Sequence, residues 1–202
     1  MGNMNEFRFE AGGIEIRANK EVVMRHLLSQ AISALGGSEI QSAIQELELL
    51  APPPLGQYWQ GQGGVYVGIK RDDAGKEEHT IAALVKLSGK WGKYGTEIDG
   101  ASSKNDGRAN TLAMSKAGSK LADDALAVEV DGHKDFVLAS QGQLTLCYLN
   151  APEHFEKKIY WSSTQYSAHH AWVEGFSDGF TFFNGKSNEF LGVAVRTIPV
   201  IR

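Results

Sequence analysis

Phe7, Phe9, Ile14 and Ile16 stand at alternate positions on either side of Ala11-Gly12-Gly13. Apolar and polar residues alternating around a glycine pair predict a β-hairpin with those four side chains on one face. The period then lengthens. Val23, Leu27, Ala31 and Leu35 recur at every fourth residue, with Met24, Leu28 and Ile32 beside them, which predicts an amphipathic helix ended by Gly36-Gly37. Ser38, with Gln41 three residues on, reads as the capping box of a second helix whose stripe is Ile40, Ile44 and Leu47. Pro52-Pro53-Pro54 stops that helix, because proline has no amide donor and a fixed φ. The triple proline divides the chain into an N-terminal segment, residues 1–51, and a domain of residues 52–202. The N-terminal stripe suits either packing on the chain's own second domain or docking and oligomerisation.

Beyond the prolines the pattern favours strands and turns. Val65, Tyr66, Val67 and Ile69 form one strand, Asp72 to Lys76 a turn, and His79 to Leu87 a returning strand. A polar loop from Gly89 to Gly107 follows. Asn110 is then expected to cap a helix running to about Ala127, with Leu112, Ala113, Ala117, Leu121 and Ala125 on its apolar side. Ser140 is expected to cap another over Gln141 to Leu149. From Tyr160 onward short hairpins turn at Ser177-Asp178-Gly179 and at Asn184 to Asn188, and Phe190 to Val200 is a final strand. Strands, then helices, then strands predict an α+β fold rather than alternating βαβ units.

Composition narrows the chemistry. A single Cys among 202 residues excludes an internal disulfide and a four-thiolate zinc site. A net charge of −4 argues against a partner bound through a nucleic-acid backbone. No apolar run approaches the ~20 residues needed to cross a bilayer. Met1 to Glu6 has neither the basic nor the apolar region of a secretory signal, so synthesis in the cytoplasm is expected.

The candidate catalytic groups read as structural. Cys147 sits in an apolar helical run and is expected to pack as a small hydrophobe. His169 and His170 are adjacent, so on a strand they point to opposite faces and do not share a metal. A calcium cluster of Asp178, Asn184, Asn188 and Glu189 is conceivable, but turn capping explains the same residues more simply. Ser162-Ser163-Thr164 lack a nucleophile elbow, and Gly61-Gln62-Gly63-Gly64 lack the Lys and helix of a phosphate loop. Asp131 to Asp135 read as a charged loop. No catalytic residue, metal or cofactor is expected. The informative stretch is residues 160–190, which hold Tyr160, Trp161, Tyr166, Trp172, Phe176, Phe180, Phe182, Phe183 and Phe190 among amide-bearing residues. Rigid aromatics offer contact area at low entropy cost, so the turn-proximal ones are candidate binding residues. Trp161, Trp172 and Phe176 are assigned to the core.

Tyr160-Trp161-Ser162-Ser163-Thr164-Gln165-Tyr166-Ser167, followed by Ala171-Trp172, Phe176-Ser177-Asp178-Gly179 and Lys186-Ser187-Asn188, resembles the C-terminal signature of Lcl-type bacterial and phage domains. That family belongs to the C-type-lectin-like group, which also contains the formylglycine-generating-enzyme fold. Asp106-Gly107 with Asn110-Thr111, and Gly132 to Phe136 with Gln141 to Leu149, resemble its middle motifs, so the likeness covers about residues 56–200. Phe136 stands where the family has Trp, Ala139 where it has Pro, and Gly192 to Thr197 replace its arginine-rich closing run.

The resemblance implies a C-type-lectin-like domain of short antiparallel strands, hairpins and two helices. It implies a non-enzymatic role: a phage tail or fibre-associated protein, located in the virion, that recognises a host-surface receptor of protein or glycan. The N-terminal segment would contact other virion proteins or form a homo-oligomer, without nucleic-acid binding or membrane insertion. The positions that the family varies correspond here to Gln165, Tyr166, His169, His170, Val173, Gly175, Phe180, Phe182, Asn184, Lys186 and Asn188. Two rivals stand beside this reading. One is a structural virion adaptor or decoration protein. The other, more remote, is a formylglycine-generating-type enzyme, which would need a Cys pair that Cys147 alone cannot supply.

Overall fold

The computed structural model describes residues 6–11, 14–19 and 51–200. The helices expected between Val23 and Leu47 lie outside the described residues. The chain divides into two compact units, Met1–Ala51 and Pro52–Arg202. In the first, strands β1 (Glu6–Ala11) and β2 (Ile14–Asn19) pair antiparallel, with Phe9 opposite Ile16 and Ala11 opposite Ile14. This is the hairpin that the alternation around the glycine pair predicts.

The second unit has mixed α+β architecture. Its strands are β3 (Tyr58–Trp59), β4 (Gly64–Arg71), β5 (Glu77–Ala82), β6 (Leu87–Lys90), β7 (Val137–Leu138), β8 (Ile159–Gln165), β9 (His170–Gly175), β10 (Thr181–Gly185), β11 (Glu189–Gly192) and β12 (Ala194–Pro199). They form two five-stranded sheets, in the orders β3-β4-β5-β12-β7 and β10-β9-β8-β11-β6. Pairing in these sheets is antiparallel except where β11 runs parallel to β8. Helices α1 (Gly107–Lys116), α2 (Lys120–Leu126) and α3 (Gln141–Asn150) lie between the strand blocks in sequence.

Three local differences from expectation have physical causes. The helix expected from Asn110 to Ala127 starts earlier and breaks in the middle. Asp106 is the cap, accepting from the Ala109 amide at 2.9 Å, and Asn110 lies inside α1. At Gly118 the backbone turns left-handed (φ +83), which suits glycine, and the Ser119 hydroxyl then caps α2. The returning strand ends at Ala82, and Leu87–Lys90 join the other sheet. The last strand likewise changes sheets between β11 and β12. At that crossing a Cβ on Gly192 would lie 2.8 Å from the Leu138 side chain, so only glycine passes without a shift. Ser140, by contrast, caps α3 as expected. Its hydroxyl accepts from the Gln143 amide while the Gln143 Oε1 accepts from the Ser140 N–H at 2.9 Å, a reciprocal box that satisfies two donors.

The core has two main parts. Trp91, Met114, Leu121, Phe136, Leu138 and Trp161 fill one, and Val65, Val67, Leu144, Cys147, Phe176 and Val195 fill the other. A buried Trp or Phe removes about 150–250 Å² from water, worth roughly 4–6 kcal/mol before entropy is counted. Phe136 and Ala139, which depart from the resembled family's residues, are both fully buried.

Candidate binding surface

β9 and β10 form a hairpin whose register decides which aromatics face solvent. Phe183 lies opposite Trp172, and Phe182 lies opposite Val173. Val173 is buried and Phe182 packs on the core cluster with it. Alternation along the strands therefore turns Trp172 and Phe183 to the other face. Tyr166, which follows β8, joins them there. Its ring stacks on Phe183 with centroids 4.3 Å apart and planes 4° from parallel, and meets Trp172 edge-on at 5.1 Å. His170 packs edge-on against Phe183 at 5.3 Å, and the Lys104 ammonium sits 5.7 Å from the centre of the Trp172 ring. Tyr94, from the loop after β6, adds a contact to His169 at 4.7 Å and to His170 at 6.4 Å.

This aromatic cluster is open to water. Tyr166 is 50% exposed, Phe183 45% and Tyr94 54%. Phe180, at the β9–β10 turn, is 71% exposed. Contiguous exposed aromatics lose the hydrophobic stabilisation that burial would supply, and such patches mark contact sites.

Buried polar groups hold the cluster from beneath. The Gln165 Oε1 accepts from the Ile98 amide at 2.9 Å and from Lys186 Nζ at 2.6 Å, while its Nε2 donates to Glu97 at 2.6 Å. Lys186 Nζ also donates to the Thr96 carbonyl at 2.8 Å and lies 4.6 Å from the centre of the Trp91 ring. Trp91 Nε1 donates to the Ser162 carbonyl at 2.8 Å. Burial pulls the Lys186 ammonium down to about 8, so it remains a cation at neutral pH. The Ser167 hydroxyl accepts from the amides of His169 and His170, each at 3.2 Å, and so shapes the β8–β9 turn. Glu174 is buried on β9, on the same face of the hairpin as Trp172 two residues away. Its Oε2 accepts from Thr181 Oγ1 at 2.7 Å and from Thr145 Oγ1 at 3.4 Å, and burial pushes its carboxyl above the ordinary range.

The eleven expected binding positions fall into three groups. Tyr166, His169, Phe180 and Asn188 are exposed; His170, Phe182 and Asn184 are half-buried; Gln165, Val173, Gly175 and Lys186 are buried. The buried four support the surface rather than form it. Phe182 faces inward, and its neighbour Phe183 takes the outward place. Trp172, expected in the core, is half-buried within the surface cluster. Tyr94 and Lys104 are members that sequence reasoning missed, while Phe183 belongs to the aromatic stretch named from the sequence but not to the eleven positions.

The other candidate groups are absorbed into structure. Ser162 Oγ donates to the Trp172 carbonyl at 2.9 Å, and Thr164 Oγ1 donates to the Ser103 carbonyl at 2.8 Å. Asp178 accepts from the Phe180 amide at 3.1 Å, and Asn184 accepts from the Gly185 amide at 2.8 Å and from the Asn188 side chain. Asp131 accepts from the Gly63 amide and from the Tyr58 hydroxyl, both at 3.1 Å. Cys147 is fully buried, and burial pushes its thiol far up. Among the described residues no three His, Cys, Asp or Glu converge as metal ligands, and no helix is long and apolar enough to cross a membrane. No protein-family model and no curated protein matches the chain.

Proposed function

We propose that the chain is a non-enzymatic binding protein that presents the Tyr94–Tyr166–Trp172–Phe183 face of a C-type-lectin-like domain to a receptor on a host cell. The observation that carries this reading is the exposed aromatic cluster, built on the β9–β10 hairpin and the segments after β6 and β8, and pinned by the buried polar groups around Lys186. A surface built this way is pre-organised, so little entropy is lost when it meets a partner. Two sheets of short strands, with hairpins leading into the exposed face, support the lectin-like architecture. The phage setting rests on the resemblance of residues 160–188 to Lcl-type domains.

The test is the Tyr166→Ala and Phe183→Ala double variant, carried on assembled particles. Central aromatic contacts cost about 2 kcal/mol or more when truncated, so host adsorption should fall by roughly 30-fold. Particle assembly and the melting temperature should stay near those of the parent. Unchanged adsorption would refute the reading. Failed assembly of a well-folded variant would favour the adaptor role instead.

A further inference from the structure

Lys186 follows β10, and its side chain is fully buried. Removing an ammonium from water is costly unless new partners replace the hydration shell. Here the partners come from separate segments of the binding face. Nζ reaches Thr96, two residues from Tyr94 in the loop after β6, and Gln165, the neighbour of Tyr166 at the end of β8. The Lys186 backbone N–H donates to the His169 carbonyl at 3.0 Å, and its own carbonyl accepts from the Gly92 amide at 3.3 Å. The segments that carry Tyr94, Tyr166 and His169 thus meet on one residue. The titratable groups on the segments it joins are Tyr94 and Glu97 on the loop after β6 and His169 on the β8–β9 turn. Of these, Glu97 favours the ammonium through space.

We propose that Lys186 is the positioning residue of the binding face: its ammonium, rather than its aliphatic stem, fixes the Tyr94 loop relative to Tyr166, and so sets the Tyr94 ring against His169, whose turn the Lys186 backbone N–H holds. This inference rests on the reading of that face as the binding surface, but it makes a claim about ring geometry that stands apart from any ligand. A methionine at 186 would fill the same channel without donating to Thr96 or Gln165. The loop around Tyr94 would then be released from β8. An arginine keeps charge and donors.

The experiment compares Lys186→Met, Lys186→Arg and Gln165→Leu with Leu144→Ala, which weakens the other part of the core. Ring proton resonances of Tyr94 and His169 are followed by NMR on the full chain, beside melting curves and the adsorption of particles. Lys186→Met and Gln165→Leu should shift and broaden those resonances and lower adsorption at least ~10-fold, within the range of central contact residues. Lys186→Arg should restore most of both, and Leu144→Ala should lower the melting temperature while leaving the resonances in place. Unmoved resonances in Lys186→Met overturn the proposal whatever happens to adsorption. If Lys186→Met does not fold, Lys186→Gln decides in its place, because it removes the ammonium and leaves Gln165 on the Ile98 amide and Glu97; unmoved resonances there overturn the proposal. Moved resonances with unchanged adsorption support the positioning role and remove the binding reading instead. Equal resonance shifts in Leu144→Ala would reduce Lys186 to a general structural role and overturn the proposal.

Discussion

Asn110→Ala is expected to cost about 2–4 kcal/mol of stability, although alanine is the better helix former by about 0.5 kcal/mol. Asn110 is fully buried inside α1. Its Oδ1 accepts from the Ser103 amide at 3.0 Å, and its Nδ2 donates to the Ser103 carbonyl at 2.7 Å, with Ser163 Oγ and Thr164 Oγ1 at 3.3 and 3.4 Å. Truncation strands these groups unequally. The Ser103 carbonyl keeps the Thr164 hydroxyl at 2.8 Å. The Ser103 amide loses its side-chain acceptor, and a half-buried donor left unmatched costs about 1–3 kcal/mol. The emptied amide volume adds about 1 kcal/mol. For a domain of this size each kcal/mol moves the melting temperature by about 2–4 °C, so a drop of roughly 5–15 °C follows. Urea unfolding read by fluorescence is the assay, since Trp91 and Trp161 are both fully buried. A loss below about 0.5 kcal/mol would show that water replaces the amide without penalty, and the account of the Ser103 loop would then be wrong. Asn110→Asp keeps the acceptor but buries a charge beside other acceptors, so it should be no better than alanine.

Two further outcomes follow from buried ionisable groups. The folded carboxyl of Glu174 titrates above its unfolded value, so its contribution to stability is present at low pH and lost as pH rises through the carboxylate range. Glu174→Gln should therefore flatten the stability profile between about pH 4 and 7 and leave the protein at least as stable at neutrality; a loss above about 1 kcal/mol at pH 7 would contradict this. The Cys147 thiol should resist a disulfide reagent at pH 8 in the native protein and react fully in urea. Rapid stoichiometric labelling of the folded chain would show that the site opens.

Local signals were readable where the deciding contacts are themselves local. Ser140 and Gln143 form their capping box within four residues, and β1 and β2 pair between segments only two residues apart in sequence. The block order of strands and helices was enough for the α+β class. Parity was not readable. Phe182 and Phe183 are chemically identical neighbours, and a one-residue shift exchanges inside for outside. Only their pairing with Val173 and Trp172 tells them apart. Asn110 read as a cap because asparagine favours that place, yet its partners lie across the fold on Ser103, Ser163 and Thr164. Gln165 and Lys186 read as surface residues because polar side chains usually are. Their burial depends on Thr96 to Ile98, far upstream, and no local pattern announces that contact. Tyr94 was missed for the same reason.

The place of β12 between β5 and β7 has a kinetic consequence. Val195 pairs with Ala82, and Pro199 with Glu78, so the sheet begun by the β4–β5 hairpin waits for the far end of the domain. Pairings this distant in sequence close large loops before they return any stabilisation, which places folding in the slow range of roughly milliseconds to seconds. On the ribosome, chain growth of about 5–20 residues per second spreads the wait over many seconds. During that time β5 carries an open edge, able to pair with another nascent chain. Synthesis at high local concentration therefore sets β12 in competition with neighbouring copies for the same strand.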